Sequence, residues 1–235
     1  MTGEYAGKVI VVTGAAGNVG QAVARAFAAA GGSVVLVGRS ETELAPLAAE
    51  LGGLSIPADV TDPVSVDALV SQVEAQHGSI DVLAHTVGGY AAGQPVHEAG
   101  LDVWDKMMNL NARSVWVTCG RVAKHMVDHR VRGRILAILS KNAYQGSAKA
   151  AAYSAAKAAA QRILESMAAE LGTHGITVNG IVPTMIDTPP NRASMPNADY
   201  SKWVKPEEIA AAMLYLASER AGALNGISLD IFGRV

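Results

Sequence analysis

Lys8-Val9-Ile10-Val11-Val12-Thr13-Gly14-Ala15-Ala16-Gly17-Asn18-Val19-Gly20 decides the fold. The run 8–12 is short, apolar and largely β-branched, which suits a strand buried on both faces. A glycine-rich turn follows, and alanines at helical spacing begin at Val19. A strand that runs through glycines into a helix is the opening of a parallel βαβ unit. Glycines there let the backbone approach a pyrophosphate, and the helix N-terminus favours its negative charge. Gly14, Gly17, Asn18, Val19 and Gly20 are therefore candidate cofactor contacts. An ordinary glycine-rich turn would share this spacing, so the turn needs support from the rest of the chain.

The same alternation continues outward. Strand-like runs fall at 33–37, 54–56, 80–83, 135–139, 177–182 and 227–231, and helical patterns at 19–30, 41–51, 64–77, 103–129, 150–171 and 206–217. The strands are continuous apolar runs rather than alternating ones. This predicts an α/β fold: a single doubly wound parallel sheet of about seven strands with helices on both faces. One domain spans 1–235, with no linker. The segment 183–205, rich in Pro, Asn, Ser and Asp, reads as a long irregular substrate loop at about 184–205, placed as a lid.

Bulk properties narrow the function. Of 235 residues, 50% are hydrophobic and 17% charged, and the net charge is −2, which gives no basis for binding nucleic acid or an anionic membrane. No apolar run has the roughly 18 residues of a membrane span, and residues 1–8 lack the pattern of a secretion signal. The single cysteine, Cys119, excludes an internal disulfide and suits a reducing, cytoplasmic setting.

After the second strand stand Val37-Gly38-Arg39-Ser40, where NAD-binding sheets usually carry an acid. Arg39 can pair with a 2′-phosphate and Ser40 can add a hydroxyl, so NADP(H) is expected over NAD(H). Asp59-Val60 follow the third strand, where a carboxylate could accept from an adenine amino group and valine could pack on the ring. Asp59 could equally begin a turn or cap the next helix.

Tyr153-Ser154-Ala155-Ala156-Lys157 puts a phenol and an ammonium on one helical face. A neighbouring cation favours phenolate, so the pair can exchange a proton near neutral pH. Chance alone could supply such a pair. Ser140, ending the strand 135–139, brings a hydroxyl that can hold a substrate oxygen. Asn111 is a fourth candidate, as an amide that can interrupt a helix and hold a water.

With these residues together, the chain resembles the short-chain dehydrogenase/reductase family over essentially its full length. The resemblance implies a Rossmann-like NAD(P)-dependent oxidoreductase. Thr13-Gly14 to Gly20 matches the family's cofactor turn, Asp59-Val60 its adenine contact, and Asn111, Ser140, Tyr153 and Lys157 its catalytic tetrad. Pro183, Ile186 and Thr188 fall in the segment that would hold the nicotinamide amide. The implied mechanism passes hydride between nicotinamide and a carbonyl carbon. Tyr153 donates the proton and Ser140 polarises the oxygen. Lys157 lowers the tyrosine pKa and bonds the ribose, and Asn111 holds a water leading to solvent. The family commonly forms two-fold symmetric tetramers through the long helices 103–129 and 150–171, so a homotetramer is expected, with 229–235 contributing.

Three departures from the pattern stand out. Asn18 replaces the usual second glycine, with Gly17 one place earlier. The usual Asn-Asn-Ala-Gly reads His85-Thr86-Val87-Gly88, which keeps Gly88 for close approach to the cofactor but leaves structural amide bonds to be replaced. Pro183-Thr184 stands for Pro-Gly. Gly89, Tyr90, Ser140, Asn142, Tyr144, Gln145, Met185 and Trp203 are the expected substrate pocket. They suggest a small ketone or the corresponding alcohol. An NAD-dependent alcohol dehydrogenase, a 3-oxoacyl or pteridine reductase, and a non-catalytic NADP(H) sensor are the alternatives. His125 and His129 are four apart, but no third ligand is evident. No metal is expected, and the helix dipole accounts for both.

Overall fold

The computed structural model describes residues 3–234; Met1, Thr2 and Val235 lie outside the described residues. The chain forms β1 (Val9–Thr13), α1 (Asn18–Ala29), β2 (Ser33–Gly38), α2 (Glu41–Leu51), β3 (Leu54–Pro57), α3 (Pro63–His77) and β4 (Val82–His85). The second half adds α4 (Leu101–Met108), α5 (Ser114–Asp128), β5 (Arg134–Ile138), α6 (Ala151–Leu171), β6 (Thr177–Pro183), α7 (Pro189–Ser194), α8 (Pro206–Ala217) and β7 (Ser228–Ile231). The seven strands form one sheet in the order β3-β2-β1-β4-β5-β6-β7, every pairing parallel.

Each strand alternates between two cores, which explains the continuous apolar runs. Val9, Val11, Val35 and Val37 point to one face, where Leu69 of α3, Val122 of α5 and Leu164 of α6 cover them. Ile10, Val12, Val34 and Leu36 point to the other, under Phe27 of α1, Leu44 of α2 and Met213 of α8. Because the order reverses between β1 and β4, their C-terminal ends open a crevice, the usual ligand position in such sheets.

Two expectations about elements are corrected. The helix expected over 103–129 is split by a π-helical turn, Asn109–Arg113. Extra residues in such a turn shift the side chains out of α register, an arrangement frequent at functional sites. The segment expected to be irregular holds α7 and a short 3₁₀ turn, Tyr200–Lys202. Ile186 bridges to Val204, Asp187 pairs with Arg192, and Arg192 lies over the Tyr200 ring at 4.7 Å.

Candidate active site

The turn after β1 is built as a cradle. Gly14 has φ +71°, a left-handed conformation that a side chain disfavours. A Cβ there would meet Thr86 Oγ1 at 2.9 Å, and one on Gly20 would fall 2.1 Å from Gly14 O. Only glycine lets α1 pack this closely on the turn. Gly17 is the N-cap of α1 with no side-chain cap bond, so the first N–H groups of the helix are left for an anion. Asn18 is exposed at the first helical position. The cradle fits a dinucleotide pyrophosphate.

Arg39 is exposed just past β2 and Ser40 precedes α2, with its hydroxyl against Thr42 at 2.7 Å. Asp59 forms a turn: its Oδ1 accepts from Thr61 N at 2.9 Å and from Thr61 Oγ1 at 2.7 Å. These bonds, the backbone one foremost, hold its carboxyl below the usual range, and Arg39 adds a smaller pull the same way. Val60 departs from expectation. Only 6% exposed, it packs into the core rather than offering a face to an adenine ring.

Ser140, Tyr153 and Lys157 meet at the C-terminal edge of β5. Ser140 directly follows Leu139, which continues the strand's pairing through its N–H to Ile181 O. Its hydroxyl lies 3.5 Å from Asn142 Oδ1, a bond long enough to be exchanged for a substrate oxygen. Asn142 ties this turn to α6 by donating to Ser147 Oγ at 2.9 Å and Ser154 Oγ at 3.0 Å. Lys157 is fully buried and donates to Ile138 O at 2.8 Å. Burial pushes its ammonium down to about 8. Burial also raises the Tyr153 phenol above its usual value, with Ser140 pulling the other way. In the protein alone, desolvation of the Tyr153 phenol outweighs the Ser140 hydrogen bond.

Asn111 sits in the middle of the π-helical turn, fully buried. Its Oδ1 accepts from Gly89 N at 3.1 Å, and its Nδ2 donates to Gly89 O at 3.0 Å and Met107 O at 3.1 Å. The side chain is therefore a clamp on the loop after β4, buried within an interrupted helix as expected. A Cβ on Gly88 would come 3.0 Å from Asn111 Oδ1 and 3.2 Å from Lys157 Nζ. Glycine at that position keeps the loop against both.

The replacement for the missing amides is visible. Ser114 Oγ donates to Leu110 O at 2.8 Å, so it accepts from His85 Nε2 at 3.2 Å. His85 Nδ1 then accepts from Thr13 Oγ1 at 2.9 Å. Burial, with the Lys157 charge adding to it, pushes His85 down to about 3, so the ring stays neutral. Thr86 Oγ1 donates to Thr13 O at 2.7 Å. One histidine and one threonine thereby join β1, β4 and the π-helical turn.

A cavity of about 750 Å³ opens between these groups, lined by Ser140, Tyr153, Lys157 and the loops after β4 and β6. The chain matches the family model described as short chain dehydrogenase over residues 8–199. The chain belongs to the short-chain dehydrogenase family. It is 34% identical to a D-threitol dehydrogenase of Mycolicibacterium smegmatis, over 97% of this chain and 92% of that one. It is 33% identical to a cis-4-hydroxycyclohexanecarboxylate dehydrogenase of Sinomonas cyclohexanicum, over 97% and 96%. It is 30% identical to a 3-oxoacyl-[acyl-carrier-protein] reductase of Salmonella typhimurium, over 98% of each. The solved structure of gox2181 superposes with a TM-score of 0.89 at 28% identity, covering 95% of this chain and 93% of that one. The chain is accordingly an oxidoreductase of alcohol and carbonyl groups, in a family that uses nicotinamide cofactors.

Within this short-chain dehydrogenase, Gly88, Gly89, Tyr90, Asn142, Met185, Pro183 and Ile186 border the cavity with Ser140, Tyr153 and Lys157. Tyr90 stands edge-on to Tyr153, with ring centroids 4.9 Å apart. Three expected pocket residues do not line it. Tyr144 turns away to bond Asp230 at 2.8 Å, and Trp203 is buried against Tyr200. Gln145 is exposed outside the lining. Thr188, expected at the nicotinamide, caps α7 by accepting from Asn191 N at 3.4 Å. Val19, expected as a cofactor contact, also lines the cavity, while sequence reasoning did not name Lys141, Thr184, Asn191, Ser194 and Met195. The last three ride on or beside α7, whose helix the Pro-rich composition had hidden.

Away from this cavity, the fold gives His125 and His129 a neighbour that spacing could not show. Glu74 of α3 lies 3.0 Å from His129 Nε2 and 3.6 Å from His125 Nδ1. The two rings are stacked, with centroids 4.2 Å apart. His129 also bonds His125 O at 2.9 Å; that bond, with Glu74 adding to it, favours its protonated form. The group joins the C-terminal ends of α3 and α5.

Proposed function

We propose that this chain interconverts a small ketone and its alcohol with NADP(H), using Tyr153 as the proton donor and acceptor. The observation that carries the reading is the meeting of Tyr153, Ser140 and Lys157 on one cavity wall beside the glycine cradle of β1 and α1. The nicotinamide cofactor, when bound, supplies or takes up the hydride. Gly14, Gly17, Val19 and Gly20 would hold its pyrophosphate, and Asp59 its adenine. Arg39 and Ser40 would hold a 2′-phosphate, and the absence of an acid at the end of β2 before Glu41 supports NADP(H). Gly88, Pro183 and Ile186 would frame the nicotinamide.

The chain's own groups handle the proton. Ser140 Oγ turns from Asn142 to the substrate oxygen and draws charge onto it. Tyr153 Oη gives that oxygen its proton, or takes it back in the oxidising direction. A buried lysine with one hydrogen bond to Ile138 O still has N–H donors left, which suit ribose hydroxyls beside Gly88. Asn111 fixes the Gly88-Gly89 loop so that these donors and the cofactor share one geometry.

The relatives' names describe action on hydroxyl or oxo groups, which agrees with this class of substrate. A homotetramer is part of the proposal. Between α5 and α6 runs a groove of about 700 Å³ with Trp116 68% exposed beside it, a surface suited to a second copy. Among the described residues no helix is long and apolar enough to cross a membrane, and Cys119 is buried and unpaired, which suits a cytoplasmic setting. The test is NADPH oxidation across ketones, diketones, 3-oxoacyl thioesters and quinonoid pterins. Turnover of a ketone with NADPH preferred over NADH is expected. Tight NADPH binding with no turnover of any carbonyl would make the chain a sensor instead.

A further inference from the structure

Lys141 directly follows Ser140 and opens the short turn that holds the catalytic hydroxyl. Two charged side chains line the cavity, Lys141 and Lys157, and no carboxylate does among the described residues. The two lysines are not equivalent. Lys157 is buried behind Tyr153 and bonded to Ile138 O. Lys141 is exposed, and none of the ion pairs among the described residues involves it. Its ammonium stands over the Phe232 ring, 5.5 Å from the centroid. A cation–π contact restrains the long side chain at this edge without neutralising it. Elsewhere the cavity is uncharged: Ile138, Leu139, Met185 and Met195 supply apolar wall, and Thr86, Thr184, Asn191 and Ser194 add neutral polar groups. An uncompensated cation at the rim of a cleft that holds no carboxylate favours an anionic ligand. The chain as a whole is slightly acidic, so this charge is local rather than part of a basic surface.

We propose that Lys141 is the anion subsite of this cavity, and that the preferred substrate carries a carboxylate on an apolar frame beside the reacting carbonyl or hydroxyl. A carboxylate is chosen because a single ammonium matches its single charge; a phosphate dianion would call for more donors. Lys141 binds and orients the carboxylate while Ser140 and Tyr153 act on the oxygen to be reduced. The inference rests on the oxidoreductase reading above and adds the substrate class.

The test compares levulinate and oxocyclohexanecarboxylate with their methyl esters, which have nearly the same shape but no charge. The wild-type protein is expected to favour each acid over its ester by about tenfold in kcat/KM, mainly through KM, the size of one partly exposed charge-assisted bond. Lys141→Met should erase that ratio, Lys141→Arg keep most of it, and Lys141→Glu reverse it. A second readout needs no turnover. Saturating cyclohexanecarboxylate should raise the Tm of the wild-type protein with bound NADPH, and not that of Lys141→Met. An acid-to-ester ratio that is the same in wild type and Lys141→Met, or equal Tm shifts in both, overturns the proposal. If no carbonyl is reduced, the oxidoreductase reading fails, and the Tm comparison still decides whether Lys141 binds carboxylate.

Discussion

Tyr153 and Lys157 each sit where burial opposes the charge their chemistry needs. Tyr153 is expected to be indispensable: Tyr153→Phe should lower kcat at least a thousandfold while NADPH still binds, read by quenching of protein fluorescence. Retained turnover would remove it from the mechanism. Lys157 makes a sharper prediction. Its pKa falls from 10.5 to about 8 on folding, so below pH 8 the folded state carries a full burial penalty, on the order of 3 kcal/mol. Between pH 8 and 10.5 the unfolded chain binds the extra proton, so this group makes stability rise with pH. Lys157→Met also leaves Ile138 O without its partner, costing about 1 kcal/mol. The variant should therefore be inactive yet more stable at pH 7 by about 2 kcal/mol, and urea unfolding should show the gain fading by pH 10.5. Arg39 tests the cofactor: Arg39→Ala should raise KM for NADPH at least tenfold and leave KM for NADH nearly unchanged. Equal effects would point to NAD(H).

At the scale of elements, the π-helical turn Asn109–Arg113 is the feature that completes the site. It brings Asn111 onto the Gly88-Gly89 loop, and His85 locks it through Ser114 and Leu110 O. His85→Leu removes two buried bonds and leaves Thr13 Oγ1 without its partner. A loss of 2–4 kcal/mol in urea unfolding is expected. His85→Asn, restoring a polar side chain, should recover part of both stability and kcat. A leucine variant as stable as wild type would mean that the network holds nothing in place. In the sequence Asn111 was legible as an amide able to interrupt a helix, but neither the π-helical turn nor the His85 network was. Residues 103–129 read as one helix because the pattern stays apolar and alanine-rich, and one inserted residue in the hydrogen-bond ladder leaves no signature in periodicity. The Tyr153–Lys157 spacing, by contrast, was legible because it depends only on 3.6 residues per turn. The segment after β6 misled for a local reason: its two consecutive prolines look like a helix breaker, yet Pro189 opens α7 at the position where a missing N–H costs nothing.

Across the whole molecule, the parallel sheet gathers β1, β2, β4, β5 and β6 so that their C-terminal ends share one edge. Arg39, Gly88, Ser140 and Pro183, far apart in the chain, arrive there together. The opposite side of α5 and α6 remains an open groove, with Trp116, Val117, Val127, Ile163 and Met167 at its walls and charged residues such as Arg121 and Glu170 among them. Light scattering should give four times the 24.2 kDa chain mass. Trp116→Glu should shift the protein to smaller species, because a charge on a buried apolar interface is strongly disfavoured. A wild-type monomer would overturn the expected assembly.

Order along the chain encodes the sheet, the glycine-rich turn after β1, and the identities of the catalytic candidates. Each depends on order along the chain: apolar runs, helical spacing, and glycines where only glycine fits. Tertiary structure alone decided what those residues touch. It buried Val60, turned Tyr144 and Trp203 away from the cavity, made Asn111 a clamp, and set the Lys141 ammonium over the Phe232 ring. Contacts of this kind join residues tens of positions apart. They follow from how helices pack on the sheet, and no local pattern encodes that packing.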